Sequence, residues 1–272
     1  MQEYSFLMSV YIKEKPEYLV QSIESMLNQT VMPMEIILIE DGSLTDDLYK
    51  VIKKYKSEYG NIFNVISLKE NVGLGKALNI GIKKCKTELI ARMDSDDICL
   101  RERCEKQLAE FEKNPELDIV GTQISEFLND PDNIVSSRIV PETQNEIIEF
   151  AKRRSPFNHP TVMYKKTSVL KAGGYSGYGR KEDLELFVKM VNSGFNVMNI
   201  GEALLLYRTS DDNLKRRKTW QNCIEYIKIM FGFYKKGYIG NSDMLYVFVG
   251  QMTMFLTPEW LLKHLNKKLL RK

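Results

Sequence analysis

The chain has 272 residues, of which 43% are hydrophobic and 28% are charged. This is an ordinary composition for a soluble protein, and the length allows one large hydrophobic core or two modest ones. The N-terminal sequence lacks the basic start, long apolar centre and cleavage site of a secretory signal, so we expect a cytoplasmic location. The four cysteines form no CxxC pair and only two histidines are present, so we expect free thiols, without disulfides or zinc sites.

The formal net charge of +3 is unevenly distributed along the chain. Residues 213–272 hold 12 of the 39 basic residues but only 3 of the 36 acidic ones, which leaves the rest of the chain mildly acidic. A basic C-terminal region of this kind is typical of contact with an anionic surface, either nucleic acid or phospholipid headgroups.

Short β-branched segments alternate with longer amphipathic segments over about the first hundred residues. The hydrophobic periodicity predicts four strands with three helices between them. The predicted strands are 6–12, 34–40, 62–68 and 87–93, and the predicted helices are 16–29, 47–59 and 73–85. This alternation is typical of βαβ units and predicts an α/β protein with a mainly parallel central sheet flanked by helices.

The regular alternation stops after Asp97, and shorter mixed elements follow to about residue 210. Two of them, 195–200 and 203–208, are predicted as separate strands. The region has no internal repeat or low-complexity linker, so we predict one compact domain over residues 1–210 and a basic helical region over residues 211–272.

Two segments of the C-terminal region bear on membrane contact. The apolar segment 244–256 is too short to span a bilayer, which requires about 20 residues. The segment 259–272 sets tryptophan and leucine on one side and basic residues largely on the other, as in a helix that lies at a membrane surface. A terminal helix docked on the domain explains this pattern equally well.

Acidic residues occupy the ends of two predicted strands. Asp94, Asp96 and Asp97 follow the fourth strand, and Glu40 and Asp41 end the second. Ligands of such sheets bind at the carboxyl ends of the strands, and residues two apart point the same way. Closely placed carboxylates repel each other, and Mg²⁺ or Mn²⁺ relieves this while leaving positions for phosphate oxygens. The sequence Asp-Ser-Asp-Asp is also common in turns and at helix starts, so alone it does not distinguish a metal site from a turn.

Several ordered motifs carry a more specific signal than any one of them. They are "SVYIKEK", "IILIEDGSLTD", "NVGLGKALNIGI", "ARMDSDD", "RSPFNHPTVMYKKTSVLKAGGY" and "KEDLELFVKM". In order and spacing, over roughly residues 5 to 208, they resemble family 2 glycosyltransferases, particularly bacterial exopolysaccharide and capsule enzymes of the amylovoran-biosynthesis type. The resemblance implies the GT-A (Rossmann-like) fold, with a nucleotide-binding half over about 1–100 and an acceptor-binding half over about 101–210.

The resemblance also implies residues for a nucleotide-sugar donor, with a UDP-sugar expected. Asp41 matches the acid that contacts the base, and Val10 and Tyr11 match the loop whose backbone lies against it. Lys76 lies near the position of a basic residue at the nucleotide, although a solvated helical lysine explains it equally well. Asp94 matches the aspartate near the ribose.

The same resemblance assigns the chemistry of an inverting, metal-dependent transfer. Asp96 matches the principal ligand of Mn²⁺ or Mg²⁺, and Asp97 is expected to support the turn. Asp183 matches the catalytic base, with Glu182 as the neighbouring candidate; only one of two adjacent side chains should reach the acceptor. His159 is a candidate acceptor-site residue, although a structural histidine is favoured.

One position departs from the family pattern. Many members have a histidine after the last core strand that completes the metal site, whereas this chain has Thr209 and Ser210 there. The third metal ligand is therefore not predicted. The aromatic acceptor-site motif of processive polymerases is also not evident in the sequence.

The leading hypothesis is a glycosyltransferase at the inner face of the cytoplasmic membrane, with a saccharide or lipid-linked acceptor in bacterial cell-surface polysaccharide synthesis. A metal-dependent nucleotidyltransferase is the alternative enzyme, but "SVYIKEKPEY" lacks the glycines of a phosphate loop. A non-catalytic membrane- or nucleic-acid-binding module would explain the basic C-terminal region but not the acidic strand ends, which repel phosphate. We expect no nucleic-acid partner.

Overall fold

A computed structural model describes residues 2–177, 181–209 and 218–258 of the chain. Strands and helices alternate through the first hundred residues, as predicted. The strands are β1 (Tyr4–Val10), β2 (Glu35–Glu40), β3 (Phe63–Ser67), β4 (Leu89–Asp94), β5 (Ile98–Cys99), β6 (Leu117–Phe127), β7 (Ile134–Arg138), β8 (Met163–Lys165) and β9 (Asn196–Arg208). The helices are α1 (Pro16–Leu27), α2 (Asp46–Glu58), α3 (Leu74–Lys84), α4 (Arg103–Lys113), α5 (Gln144–Ala151), α6 (Lys166–Lys171), α7 (Glu182–Asn192), α8 (Trp220–Lys235) and α9 (Asn241–Leu256).

The first half of the sheet is parallel and has the order β3-β2-β1-β4. All six residues of β2 are buried, because helices cover both faces of the sheet. Val10, Glu40 and Asp94 therefore end three neighbouring strands at one edge. The α/β prediction is confirmed, and the carboxyl ends of β1, β2 and β4 lie side by side.

The second half of the sheet mixes strand directions. Strand β8 enters antiparallel between β4 and β6, and β6 then pairs parallel with β9. The prediction of two separate strands near the end of the domain was wrong, because β9 is one strand across Gly201. Its pairing with β6 shifts register beside Thr122 and Gln123, so irregular pairing absorbs the interruption in the hydrophobic pattern.

Local sequence signals set several helix starts. Pro16 occupies the first turn of α1, and the Thr45 side chain accepts the Leu48 N–H at the start of α2. Helix α3 packs closely on β1 through Gly81, where an added Cβ would lie 2.2 Å from Leu7 Cδ1. This close approach packs α3 directly on β1.

Two hydrophobic clusters lie on opposite faces of the sheet. Met230 and Phe233 of α8 and Val247 of α9 are buried in the larger cluster, so both C-terminal helices pack on the domain. All four cysteines are buried free thiols, as predicted. Across the described residues, every helix is too short or too polar to cross a membrane. The predicted amphipathic segment 259–272 lies outside the described residues.

Candidate active site

The three aspartates after β4 form one compact acidic cluster. Single carboxylate oxygens of Asp94, Asp96 and Asp97 all lie within 4.8 Å of one another. Burial, together with the charges of Asp94 and Glu14, raises the pKa of Asp96 to about 7. Burial and the neighbouring aspartates also raise the pKa of Asp97 well above its ordinary value. This is the electrostatic state of a site that binds positive charge.

Arg92 of β4 contacts this acidic cluster. It is buried in β4, and its Nη2 donates to Oδ1 of Asp94 two residues later on the same side of the strand. Nε and Nη1 of Arg92 are buried without a hydrogen-bond partner. The Ser22 hydroxyl holds the same loop from α1 by donating to the Asp94 carbonyl over 2.7 Å. Asp94 is therefore oriented by two groups before any ligand binds.

The next two aspartates are held from the end of β9. The backbone N–H of Arg208 donates to Asp97 Oδ1 over 2.8 Å, and Arg208 Nε donates to the Asp96 carbonyl over 2.9 Å. The guanidinium carbon lies 3.8 Å from the ring centroid of Tyr18 and 4.4 Å from that of Phe127. Asp97 is fully buried, which fits the predicted supporting role better than a contact with substrate.

Asp41 joins the end of β2 to the loop before α3. Its Oδ1 accepts the Val72 N–H over 2.7 Å and its Oδ2 accepts the Gly73 N–H over 3.1 Å. The Asp41 N–H donates to the Val10 carbonyl over 2.8 Å, which ties β2 to β1 at the same edge. Asp41 and Val10, both predicted at the nucleotide, are therefore in direct contact. Base recognition by Asp41 stays a prediction.

The remaining predicted donor residues are exposed near this edge. Tyr11 follows β1 with an exposed ring, and its carbonyl accepts the Glu14 N–H over 3.0 Å. Lys76 is exposed in the first turn of α3, close to the loop before α7; a Cβ added at Gly177 would lie 3.6 Å from Lys76 Cε. Lys76 thus lies between the two predicted halves, and its role at the nucleotide stays a prediction.

Glu182 and Asp183 begin α7 but occupy different environments. Glu182 is buried, whereas Asp183 is partly exposed, so the geometry favours Asp183 as the acid that can meet an acceptor. Burial raises the pKa of Glu182 to about 7, and the charges of Asp183 and Asp94 add to this effect. The charges of Asp183 and of Asp94 in the acidic cluster therefore both disfavour ionisation of the buried Glu182 carboxyl.

The start of α3 packs directly against the segment before α7. Asn79 Nδ2 donates to the Tyr175 carbonyl over 2.7 Å, and its Oδ1 accepts the Tyr175 N–H over 2.9 Å. Gly75 permits the contact, because an added Cβ would lie 2.7 Å from the Ser176 carbonyl oxygen and 3.1 Å from Glu182 Cβ. This contact joins the predicted nucleotide-binding half to the helix of the predicted base.

His159 is partly buried and lies within hydrogen-bond distance of Tyr175. Its Nε2 lies 2.9 Å from Tyr175 Oη, and its ring packs edge-on against Phe187 with centroids 5.7 Å apart. Burial and the nearby Arg92 charge hold its pKa well below the ordinary value, so the ring is neutral. These contacts favour the structural interpretation over acceptor binding. Thr209 lies beside Phe127, whose carbonyl accepts its N–H, and Ser210 lies outside the described residues.

Sequence reasoning missed three residues that shape the site: Arg92, Glu14 and Arg208. The spacing of Arg92 and Asp94 on one strand face could have indicated their pairing. Glu14 accepts a hydrogen bond from Ser95, which lies in the loop of residues 94–97 that carries the three aspartates, called the acidic loop. Burial raises the pKa of Glu14. Neither Glu14 nor Arg208 is near the acidic loop in sequence, so no local pattern could have indicated their contacts.

The residues present fit a divalent cation. Asp97 Oδ2 is buried without a hydrogen-bond partner, and the carboxylates of Asp94 and Asp96 are close enough to share a ligand with it. Oxygen ligands of this kind suit Mg²⁺ and Mn²⁺, which keep open positions for substrate phosphates.

Comparison with known proteins decides the family. The model of the family Glycosyl transferase family 2 matches residues 5–179. The chain belongs to this family. This glycosyltransferase is 35% identical over 270 residues to the Escherichia coli UDP-Gal:alpha-D-GlcNAc-diphosphoundecaprenol beta-1,3-galactosyltransferase, covering 99% of this chain and 97% of that protein. It is 34% identical over 268 residues to the Erwinia amylovora amylovoran biosynthesis glycosyltransferase AmsE, covering 97% and 98%.

A solved structure supports the fold of the glycosyltransferase. The mannosyltransferase PcManGT from Pyrobaculum calidifontis, in complex with GDP-Man and Mn²⁺, superposes with a TM-score of 0.65 at 12% identity, covering 96% of this chain and 72% of that one. The predicted GT-A fold and the resemblance to amylovoran-type enzymes are both confirmed. Membership also decides between the two enzyme classes in favour of glycosyl transfer over nucleotidyl transfer.

Proposed function

We propose that this glycosyltransferase moves a sugar from a UDP-sugar donor to a lipid-linked saccharide, with inversion at the anomeric carbon and with Mn²⁺ or Mg²⁺ as cofactor. The observation that carries this proposal is the cluster of Asp94, Asp96 and Asp97 at the strand ends, where single carboxylate oxygens of the three lie within 4.8 Å of one another. The helix that begins with Glu182 and Asp183 packs against Gly75 at the start of α3, where an added Cβ would lie 3.1 Å from Glu182 Cβ. The Escherichia coli relative, named for UDP-Gal and a diphosphoundecaprenol acceptor, supports the substrate classes.

The donor half of the site is built at the ends of β1, β2 and β4. We assign the nucleoside to the edge formed by Val10, Tyr11 and Asp41, and the ribose to Asp94. We assign Lys76, which is exposed at the start of α3, to the donor phosphates. The N–H groups of Val72 and Gly73 are already satisfied by Asp41, so the loop before α3 is pre-organised for the donor.

The proposed chemistry is a single displacement at the anomeric carbon. Asp183 accepts the proton of the acceptor hydroxyl, whose oxygen forms the new bond to the anomeric carbon. The bond between that carbon and the diphosphate oxygen breaks, and the electron pair leaves with the nucleoside diphosphate. Asp96, with Asp94 beside it, would hold the cofactor. When bound there, Mn²⁺ or Mg²⁺ supplies positive charge that stabilises the leaving diphosphate.

A panel of nucleotide sugars tests the proposal on the full chain. UDP-, GDP- and dTDP-sugars are compared by thermal shift and by slow donor hydrolysis, with Mn²⁺, with Mg²⁺ and with EDTA. We expect a UDP-sugar to stabilise the protein in the presence of the metal. Stabilisation by a GDP-sugar alone would contradict the donor class, and equal stabilisation in EDTA would contradict the metal.

A further inference from the structure

Helix α8 has apolar side chains on two sides. Its inner stripe is buried in the domain at Cys223, Met230 and Phe233. A second stripe, spaced three or four residues apart, runs along the outer side and is exposed or half-buried: Trp220, Ile224, Ile227, Phe231 and Tyr234. The outer stripe is only partly covered, and Trp220, Phe231 and Tyr234 remain exposed.

Helix α9 repeats this arrangement. Its inner side is held by Val247 and by Asp243, whose Oδ1 accepts from Arg153 Nε over 2.8 Å. Asp243 is the only charged residue of the helix, so the outer side is uncharged. That side exposes Leu245 (63%), Phe248 (48%), Val249 (53%) and Leu256 (74%). The two outer sides meet where the rings of Trp220 and Phe255 lie 5.2 Å apart, and together they are called the α8–α9 apolar surface.

Basic residues accompany this surface. Lys228, Lys235 and Lys236 of the α8 region are exposed, and Lys235 Nζ lies 4.9 Å from the ring centroid of Phe231. A lysine stem over an aromatic ring keeps its charge at the edge of an apolar face. The sequence that follows, 259–272, has five basic residues and one acidic residue. An apolar face with a positive rim is complementary to an anionic lipid surface rather than to a neutral one.

Helix α8, which carries part of the α8–α9 apolar surface, lies beside the segment that leads to the proposed base. Tyr226, on the inner side of α8, donates from its hydroxyl to the Arg153 carbonyl over 2.9 Å. Lys181, two residues before Asp183, places its Nζ 5.5 Å from the Tyr226 ring centroid. Burial raises the pKa of Tyr226 to about 12, with a contribution from the charge of Asp183. Helix α8 therefore lies beside the residue that leads into α7 and the proposed base.

We propose that the α8–α9 apolar surface rests on an anionic phospholipid bilayer and so brings Asp183 to an acceptor carried by a lipid. The helices lie on the bilayer, because the described helices are too short or too polar to cross it. The functional consequence rests on the proposed lipid-linked acceptor. The contact itself rests only on the exposed apolar side chains and their basic rim.

Vesicle flotation of the full chain tests the contact. Wild type is compared with the double variant Leu245→Glu and Phe248→Glu, on vesicles of phosphatidylglycerol with phosphatidylcholine and of phosphatidylcholine alone. Met32→Glu is the control, because Met32 is 52% exposed in the segment before β2, outside α8 and α9. We expect roughly tenfold weaker binding of the double variant to anionic vesicles, no change for Met32→Glu, and weaker binding of wild type as salt rises.

Two further measurements separate the competing outcomes. Metal-dependent thermal shift by the donor should be equal in wild type and the double variant, so loss of vesicle binding cannot reflect a failed donor site. Equal flotation of wild type and the double variant would overturn the proposal. A wild-type dimer that becomes monomeric in the double variant, without vesicle binding by either, would assign the surface to a second copy and also overturn it.

Discussion

The backbone N–H of Arg208 donates a 2.8 Å hydrogen bond to Oδ1 of Asp97, across 111 residues of sequence. The same arginine donates from Nε to the Asp96 carbonyl and from Nη2 to Gln21 Oε1 over 2.5 Å. Strand β9 therefore fixes the position of the acidic loop through Arg208.

Substitution of Arg208 should weaken metal binding more than folding. In Arg208→Lys the positive charge remains, but the planar group between Tyr18 and Phe127 and its directed hydrogen bonds are lost. We expect the Mn²⁺ concentration for half-maximal activity to rise about tenfold, as for other residues that orient metal ligands. Arg101→Lys, at an exposed arginine before α4, is the control. An unchanged metal requirement would limit Arg208 to a role in stability.

Asp96→Asn should abolish metal-dependent donor binding. The amide is nearly isosteric but carries no charge, so it removes the proposed principal ligand while keeping the shape of the loop. We expect transfer to fall at least about a hundredfold and UDP affinity to become the same with Mn²⁺ and with EDTA. Calorimetric titration with UDP measures the second effect. Asp47→Asn, in the exposed first turn of α2, should retain the metal effect, and its retention by Asp96→Asn would disprove the ligand assignment.

Asp183→Asn should stop transfer while leaving the donor site intact. An amide cannot accept the acceptor proton, and removal of a general base costs about a hundredfold to ten-thousandfold in rate. We expect this loss in the transfer rate and an unchanged thermal shift with the donor and metal. Asp132→Asn, in the exposed turn between β6 and β7, is the matched control. Turnover near the wild-type value would assign the base elsewhere, with Glu182 as the next residue to test.

The first hundred residues were predictable because their elements are set locally. Each of the first four strands and three helices lies within two residues of its predicted bounds at either end, since buried strands and amphipathic helices leave distinct hydrophobic periods. Asp41 and Asp94 were placed at strand ends by the same patterns. These residues share an edge because parallel strands present their carboxyl ends together.

The later half depends on contacts that periodicity does not record. Nothing local indicates that β8 lies between β4 and β6, or that β9 continues through Gly201, because both depend on pairing with distant strands. The contact of Arg208 with Asp97 depends on the same long-range pairing. The different environments of Glu182 and Asp183 follow from the packing of α7 against Gly75, which a single sequence does not show.

Glu182→Gln should stabilise the substrate-free protein, and the gain should grow with pH. Burial, helped by the charge of Asp183, raises the Glu182 pKa from 4.5 to about 7, and its Oε2 is buried without a partner. Between these two values the folded protein binds more protons than the unfolded chain, so Glu182 lowers the free energy of unfolding as pH rises. Below pH 4.5 this penalty is absent, and above pH 7 it is fully present.

Urea denaturation at pH 5 and pH 8 measures this effect. A neutral amide does not titrate, so we expect Glu182→Gln to gain little at pH 5 and of order 1–3 kcal/mol at pH 8 relative to wild type. Glu112→Gln, at an exposed position of α4, should show the same small difference at both pH values. An equal gain for Glu182→Gln at both pH values would mean that Glu182 is ionised with its ordinary pKa. The ionised Glu182 carboxylate would then be stabilised by a nearby positive charge. Arg92 would be that charge, because it acts to lower the Glu182 pKa against the effect of burial.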